Sequence, residues 1–313
     1  MSESPLILVV GSINMDMVLR GPYMPAPGET VLGSGFKTSP GGKGANQAVA
    51  VARLGGSCAM IGCVGQDAFG DQLLAGLNAE GIDCQAVCRT ADAPTGVAMI
   101  VVDAKGENAI VVASGANYRA SPDDSIVPNE ELFEEASVVV LQLELPLPTV
   151  RAAAQLARRH RCKVILDPAP VPNVMSPGLC EVDILTPNMV ECEAMTGKKA
   201  GVEERVDKGI ALDLIDMGAG AVVLKLGPRG SLVVMADGHF YTLPPYKVQV
   251  QDTTAAGDAF TGALAVAVAS GQDLRKAARF GNAAGALACT KIGAQSAIPT
   301  ADEVKILMED QAT

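Results

Sequence analysis

Aromatic residues and histidines are scarce in this sequence. Of its 313 residues, 3% are aromatic and two are histidine. His160 lies between arginines at an expected helix end, and His239 follows Asp237-Gly238, a pair typical of a hairpin turn. Neither setting favours a catalytic base or a zinc ligand. We therefore expect a mechanism that depends on carboxylates, lysine and backbone amides.

Cysteine patterns typical of metal sites and disulfide frameworks are missing. The eight cysteines form no C-x-x-C pair, and most lie in apolar segments such as residues 58–63. This usage is typical of buried free thiols in a reducing compartment. The apolar run at residues 6–10 follows no basic region and is too short for a signal peptide or a membrane span. We expect a cytoplasmic protein with no membrane partner.

Positive charge and two common nucleotide-binding motifs are also lacking. The chain has 24 Lys and Arg against 35 Asp and Glu, a formal charge of -11, which disfavours nucleic acid as a partner. Lys43 is followed by glycine and position 37 is lysine, so no P-loop exists, and no G-x-G-x-x-G follows the first apolar run. These absences disfavour P-loop enzymes and Rossmann dehydrogenases. A phosphate can still be bound by local backbone amides.

The sequence does contain alternating strand and helix patterns. With 49% hydrophobic residues the chain can bury a large core, in one α/β domain with a small appendage or in two equal domains. Short apolar runs predict buried strands at residues 6–10, 138–143, 164–166, 183–185 and 222–226, and helical patterns cover residues 149–160 and 203–217. We expect a single α/β domain over residues 1–313, with a mostly parallel central sheet flanked by helices on both faces.

Three segments interrupt this alternation. Residues 17–20, 30–38 and 97–112 alternate in polarity or contain glycine turns, which predicts short antiparallel strands. They would form a small sheet inserted at about residues 14–40 and 95–114, acting as a lid over a site. The alternative is ordinary surface hairpins. The unpaired edges and apolar surface of such a sheet also predict a homodimer joined through it.

The most informative stretch is residues 252–260, which precedes a helical apolar run at residues 261–269. Ala256, Gly257 and Asp258 should therefore lie at a helix N-terminus, where unpaired backbone N–H groups and the helix dipole bind anions. The dipole should also keep Asp258 ionised as a modest base. An anion site and a base on one turn indicate phosphoryl transfer from a nucleotide.

Two segments near the N-terminus suit a polyhydroxylated ligand. Asn14 and Asp16 follow the first predicted strand and offer an amide and a carboxylate to hydroxyl groups, unless they form an Asx turn. In the loop before the next helix, Gly41-Gly42 allows close backbone approach, while Lys43 and Asn46 supply charge and hydrogen bonds. The alternative for this loop is a flexible linker.

Residues 41–48 and 252–258 together identify the chain as a member of the ribokinase-like sugar kinase family. Segments 106–110, 141–144 and 186–191 fall between them in the family's order and approximate spacing, and the resemblance covers about residues 6–300. It implies that Asp258 is the catalytic base and that the amides of Ala255, Ala256 and Gly257 form an anion hole. It also implies sugar contacts from Asp258 and from Asn14, Asp16, Gly42, Lys43, Asn46 and Glu144.

The resemblance implies nucleotide and cation sites as well. The nucleotide-binding residues would be Asn188, Lys225, Gly227, Gly230, Gly257 and Asn282. Potassium would be bound by Asp252, Thr254, Ala288, Lys291 and Gly293, and magnesium by Glu191, through water. Two departures from the family pattern are Ala297, where a serine often completes the potassium site, and Lys225, where smaller residues are common. From the residues alone, a helix capping box is the favoured interpretation of Asn188 and Glu191, and the resemblance reverses this preference.

The expected activity is therefore that of an ATP-dependent sugar kinase. ATP would phosphorylate the 5-hydroxyl of D-ribose, giving ribose 5-phosphate in ribose catabolism, with magnesium and potassium as cofactors. One alternative is the same chemistry on deoxyribose, a ketose or a nucleoside, although few aromatic residues are available to stack on a base. A catalytically silent sugar-binding regulator is a third possibility, which an intact Asp258 disfavours.

Overall fold

The structure, a computed structural model, describes residues 4–173 and 178–311. Thirteen strands lie in this part of the chain. They are β1 (Leu6–Val10), β2 (Asn14–Arg20), β3 (Gly35–Gly41), β4 (Ser57–Gly65), β5 (Val87–Thr90), β6 (Gly96–Val102), β7 (Asn108–Ala113), β8 (Ala136–Leu141), β9 (Lys163–Leu166), β10 (Ile184–Leu185), β11 (Ala221–Lys225), β12 (Ser231–Met235) and β13 (Phe240–Leu243).

Nine of these strands form the large sheet, in the order β13-β12-β11-β10-β9-β8-β1-β4-β5. The seven strands from β11 to β5 are parallel to their neighbours, and β12 and β13 add an antiparallel edge. The turn between β12 and β13 contains Asp237 and Gly238, as predicted for the hairpin beside His239. Ligands of parallel sheets bind beyond the carboxyl ends of the strands, so these ends locate the site.

Nine α-helices occur in the described ranges. They are α1 (Lys43–Arg53), α2 (Ala68–Ala79), α3 (Glu130–Glu135), α4 (Leu147–Arg159), α5 (Met189–Thr196), α6 (Glu204–Asp216), α7 (Ala256–Ala269), α8 (Leu274–Ala288) and α9 (Ala301–Asp310).

Helices cover both faces of the large sheet because its strands alternate in the direction of their side chains. In β1, Leu8 and Val10 pack in one apolar cluster with α4 and α6, whereas Ile7 and Val9 pack in a second cluster with α1 and α7. Apolar residues therefore fill both faces. The expected fold class, a mostly parallel sheet between two layers of helices, is confirmed.

The remaining four strands form the small sheet, in the order β3-β2-β6-β7. Its outer pairs, β2–β3 and β6–β7, are antiparallel as predicted. Its central pair, β2–β6, is parallel, so the expectation of antiparallel strands is wrong for this pair. Two further boundaries differ: β2 begins at Asn14 rather than at residue 17, and residues 30–34 precede the strand that was expected to include them.

All eight cysteines are free thiols in the structure, and Cys84, Cys88 and Cys289 are half-buried. The other five are buried, and burial raises the pKa of the Cys192 thiol to about 12. Within residues 4–173 and 178–311, no helix has the length and apolar content that crossing a bilayer requires.

Candidate active site

The glycine loop before α1 brings two strand ends together. Gly42 is the residue before the helix and has a φ of 90°, and a Cβ there would meet the backbone N of Asn14 at 2.7 Å. Only glycine combines this conformation with so close an approach. The backbone N–H of the next residue, Lys43, donates to the Glu144 carboxylate at 3.1 Å, and the Ser12 hydroxyl donates to the same oxygen.

Asn14 and Asp16 begin β2, where the small sheet leaves the large one. Asn14 is 3% exposed, and its Oδ1 accepts a 2.7 Å hydrogen bond from Asn117 Nδ2. Asn117 also bonds the backbone N–H and C=O of Ile13, so three contacts fix the start of this strand. The alternative of an Asx turn at Asn14 is wrong, because its side-chain oxygen is used by Asn117 instead.

Burial raises the pKa of Asp16 to about 7, with further contributions from the charges of Glu144 and Asp258. The three carboxylates are therefore close enough to repel one another. Lys43 offsets part of this negative charge: burial opposes its ammonium form, but Asp258, Asp167 and Glu144 favour it, and its pKa is raised. This end of the site is rich in oxygen acceptors beside one cation.

Asp258 lies in the first turn of α7, as predicted. The residue before the helix is Ala255, whose φ of 57° is in the left-handed region that residues other than glycine seldom adopt. Such strain is retained where the surrounding structure requires it. The helix begins directly after this residue, and Ala255, Ala256 and Gly257 line a cavity. The Ala256 N–H donates to the Thr253 carbonyl at 3.3 Å.

A buried hydrogen-bond network holds the Asp258 carboxylate. Asn46 Nδ2 donates to one oxygen at 2.9 Å and Gln47 Nε2 to the other at 3.1 Å. The same Gln47 nitrogen donates to Asp167 Oδ2 at 3.0 Å, while Gln47 Oε1 accepts from Gln142 at 2.6 Å. The carboxylate therefore has a fixed position between α1 and the end of β9.

The sequence predicts that the helix N-terminus keeps Asp258 ionised as a modest base, and burial is a second influence on this carboxylate. Asp258 is 5% exposed, and burial raises its pKa to about 6. The charge of Lys43 favours ionisation, whereas the charge of Asp167 opposes it. Desolvation is thus the largest effect. A carboxylate with this pKa is a stronger base than an exposed aspartate and is still mostly ionised at neutral pH.

A cavity of about 770 Å³ extends from Asp258 between α5, α7, α8 and the β11–β12 turn. Its lining includes every residue predicted to bind the nucleotide: Asn188, Lys225, Gly227, Gly230, Gly257 and Asn282. The lining also includes Tyr246, Val248 and Val250. Charged residues such as Asp258 and apolar residues therefore line the same cavity.

Asn188 and Glu191 are both a capping box and part of the cavity wall. The Asn188 side chain accepts from the Glu191 N–H at 2.9 Å, and the Glu191 carboxylate accepts from the Asn188 N–H at 2.7 Å. The two interpretations of this pair were therefore compatible. Each Glu191 oxygen keeps a lone pair for a further donor or a hydrated cation. Burial raises the pKa of Glu191, although Lys225 counteracts it.

The loops predicted to bind potassium meet at Asp252. One Asp252 oxygen accepts from the N–H and hydroxyl of Thr254, and the other accepts from the Gly293 N–H at 2.9 Å. Burial opposes ionisation of Asp252, but these hydrogen bonds outweigh it and lower its pKa. An ionised carboxylate is an oxygen ligand that suits a hard cation. The Ser296 hydroxyl lies near Gly293, and Ala297 is buried.

In the described ranges, no three His, Cys, Asp or Glu side chains are grouped as metal ligands. The two predicted cation sites do not require such a group, because each relies on one carboxylate with carbonyl oxygens, phosphates or water. The Ala288 carbonyl accepts a long 3.4 Å bond from the Lys291 N–H, and the Lys291 side chain points away to Glu303.

Several residues of this network were not predicted from the sequence: Ser12, Gln47, Asn117, Gln142 and Asp167. Asp167 had a usable signal, since it directly follows β9 just as Glu144 follows β8 by a few residues. Acidic residues at neighbouring strand ends converge in a parallel sheet. The role of Asn117 had no local signal, because it depends on a contact between residues 103 positions apart.

Comparison with known proteins agrees with this geometry. The ribokinase of Haemophilus influenzae is 40% identical over 303 residues, 97% of this chain and 98% of that protein. A deoxyribokinase of Salmonella typhimurium is 34% identical over 298 residues, 95% of this chain and 96% of its own. The structure of Arabidopsis thaliana ribokinase complexed with ribose and ATP is similar with a TM-score of 0.91 at 30% identity, covering 98% and 99% of the two chains.

The family model of the pfkB carbohydrate kinases matches residues 4–301, nearly the whole chain. The matched region includes the glycine loop, Asp258 and both predicted cation sites. On these grounds, this protein belongs to the pfkB family of carbohydrate kinases.

Proposed function

We propose that this protein is a cytoplasmic kinase that transfers the γ-phosphoryl group of ATP to the 5-hydroxyl of D-ribose. One observation carries the proposal. Asp258 is hydrogen-bonded to Asn46 on the polyol side and also lines the 770 Å³ cavity on the other side. A base placed between an acceptor site and a nucleotide-sized cavity is what in-line phosphoryl transfer requires. The free thiols support a reducing compartment.

The acceptor side suits a small polyol. Asn46 Oδ1 is buried and accepts no hydrogen bond from residues 4–173 or 178–311, so a sugar hydroxyl would satisfy it. Asp16 can accept from two hydroxyls, and such donors would favour its ionised form despite its raised pKa. A bound sugar would therefore supply the hydrogen bond that Asn46 Oδ1 lacks and would stabilise the ionised form of Asp16. The relatives that phosphorylate ribose or deoxyribose support this class of acceptor.

The reaction conserves atoms and charge without a covalent enzyme intermediate. The ribose 5-hydroxyl gives its proton to Asp258 while its oxygen forms a bond to the γ-phosphorus. The bond from that phosphorus to the bridging oxygen breaks, and its electron pair remains on ADP. The first-turn N–H groups of α7 stabilise the equatorial oxygens of the transferring group without reorganising.

Two cations fit this arrangement. Glu191 and Asn188 would hold magnesium through water, since magnesium retains several waters and takes few carboxylate ligands. When bound, magnesium neutralises charge on the phosphate oxygens. Asp252, with main-chain oxygens of Thr254, Ala288, Lys291 and Gly293, would hold potassium. Asp252 suits this role because it stays ionised and already joins both loops.

A panel of acceptors tests the proposal. The purified protein is assayed for ADP formation from ATP with D-ribose, 2-deoxyribose, D-fructose and adenosine at equal concentrations. We expect the highest kcat/KM with D-ribose, and phosphorus NMR should identify the product as the 5-phosphate. A higher kcat/KM with another acceptor would refute D-ribose as the preferred substrate and identify that acceptor in its place. ADP formation that no acceptor stimulates would refute a kinase and favour a regulator.

A further inference from the structure

A buried ion pair lies in the wall of the proposed nucleotide cavity. Lys225 ends β11 and Asp167 follows β9, and the Lys225 ammonium reaches the Asp167 carboxylate at 2.8 Å. Their side chains are 12% and 2% exposed. Burying two charges costs free energy that their mutual attraction seldom repays in full. A pair kept at such a cost beside a binding cavity indicates a functional use.

The ammonium group lies over the proposed anion hole. A Cβ placed on Gly257 would be 3.4 Å from Lys225 Nζ, so the amine and the first turn of α7 face the same space. Both residues line the cavity. A phosphoryl group held by the N–H groups of this turn would therefore lie beside Lys225. The lysine is close to the place where negative charge develops during transfer.

The ion pair is also connected to the base. Asp167 Oδ1 binds Lys225, its Oδ2 accepts from Gln47, and Gln47 donates to Asp258. Burial opposes the charge of Lys225, but Asp167 and Glu191 outweigh this effect and raise its pKa. The ammonium is therefore charged throughout the physiological range. Asp167 acts on both partners, because it holds the cation and its charge raises the pKa of Asp258.

We propose that Lys225 is a catalytic residue that contacts the transferring phosphoryl group, and that Asp167 is a positioning residue that holds it there. This proposal rests on the phosphoryl transfer proposed above and adds to it the residue that neutralises the γ-phosphate. Lys225 keeps its proton throughout, so the balance of the reaction is unchanged. Its ammonium shares its hydrogen bonds between Asp167 and the phosphoryl oxygens, which carry the most charge during transfer.

Turnover measurements on Lys225→Met and on the double variant Asp167→Asn with Lys225→Met provide the first test. Removing one phosphate-stabilising donor should lower kcat by about 10²–10³-fold. Lys225→Met leaves the buried Asp167 carboxylate without its cation. The double variant replaces that carboxylate with an amide, so it should fold at least as well as Lys225→Met. We expect it to remain slow. Recovery of nearly normal kcat in the double variant would mean that the lysine only neutralises Asp167, and would overturn the proposal.

Matched controls separate charge from size and from folding. Lys163→Met removes a 2.7 Å ion pair with Asp183 that is exposed and lies at the opposite end of β9, and it should leave kcat unchanged. Lys225→Arg keeps the positive charge and should recover part of the lost kcat. Thermal unfolding of each variant shows whether it is folded. A slow Lys163→Met variant, or an arginine variant as slow as methionine, would count against the proposal.

Nucleotide affinities give a second readout that needs no acceptor. The γ-phosphoryl group is present in ATP and absent from ADP, so Lys225→Met should raise the Kd of ATP by about 10-fold and leave that of ADP within about twofold. An equal loss of affinity for ATP and ADP would show that Lys225 contacts the α- or β-phosphate, which both nucleotides have, and would refute the proposal. Failure of wild-type protein to phosphorylate ribose would refute only the proposed acceptor, because this binding test is independent of it.

Discussion

The large and small sheets differ in how they are supported. The large sheet is covered by helices on both faces, and four of the five residues of β1, from Ile7 to Val10, are fully buried. In the small sheet, every residue of β7 is exposed, and Phe36 and Val111 are 61% and 71% exposed. Dense packing fixes the strand ends that carry Asp167 and Lys225. The small sheet begins with the buried Asn14 and the half-buried Asp16, and its burial decreases toward the exposed edge strand β7.

This difference divides the site into a rigid part and an adjustable part. The base belongs to the rigid part, where Asn46, Gln47 and Asp167 hold its surroundings through buried hydrogen bonds. Asp16 belongs to the part whose far edge has little tertiary contact. Segments with few buried contacts open and close most easily. We propose that the small sheet closes over the acceptor and that it joins two copies of the chain.

The largest effect should come from the rigid part. Asp258→Asn removes the base but preserves the size of the side chain, and it should lower kcat by about 10²–10⁴-fold. Ribose binding, measured by calorimetry, should stay within reach of detection because the amide can still bond a hydroxyl. Asp237→Asn, at an exposed turn, is the matched control. Nearly normal kcat in Asp258→Asn would refute the assigned base.

A substitution in the small sheet should instead act on the acceptor. Asp16→Ala removes a carboxylate that binds hydroxyls, a loss of about 1.5–3 kcal/mol, which corresponds to roughly 10–100-fold in kcat/KM. Most of this loss should appear in KM for ribose, with KM for ATP unchanged. A fall confined to kcat would show that Asp16 acts in the chemical step, as proposed for Asp258, and not in acceptor binding. The division of the site into two parts would then be wrong.

The pH dependence should separate the two carboxylates. Burial raises the pKa of Asp258 to about 6, so the base is active above this pH and is lost as pH falls through it. A drop from pH 7 to pH 5 should lower kcat by about tenfold. The pKa of Asp16 is raised to about 7, so KM for ribose should rise first on acidification. Kinetics at saturating ribose measure the pH dependence of kcat, and kinetics at limiting ribose also include that of KM. Asp16→Ala should abolish only the pH dependence of KM.

Potassium should have a smaller effect, because Asp252 lies beside the anion hole rather than in it. We expect activity in potassium buffer to exceed that in tetramethylammonium buffer by roughly 5-fold or more. Asp252→Asn weakens the site and should reduce this ratio. Identical rates in the two buffers would refute the cation site and leave Asp252 with its structural role of joining the two loops.

The smallest effect on catalysis is expected at the exposed side of the small sheet. Val111→Lys places a charge in the proposed dimer contact, and sedimentation should shift from dimer to monomer while kcat changes by about twofold or less. Val202→Lys changes another exposed valine, 62% exposed and outside the small sheet. A wild-type monomer in sedimentation would refute the dimer. A monomeric variant that loses most of its kcat would show that dimerisation supports the site.

Residues that act through local geometry were predictable from the sequence. Asp258 was assigned because a small-residue turn before an apolar helix is a local pattern, and the structure places it in that first turn. Asp167 was missed because a single aspartate after a strand is common, and only its contacts with Lys225 and Gln47 show its importance. The parallel pairing of β2 with β6 was likewise hidden, because it joins segments about 80 residues apart.

From the sequence alone, the family, the fold class and the place of Asp258 in a first helical turn could be determined, because each depends on residue types at short spacing. The tertiary structure decided the basicity of this carboxylate. The pKa of Asp258 follows from burial and from Lys43 and Asp167, which are distant in the chain. The tertiary structure also placed Lys225 beside Gly257, in the proposed anion hole. Charges and desolvation act through space, so their effects can be known only once the chain has folded.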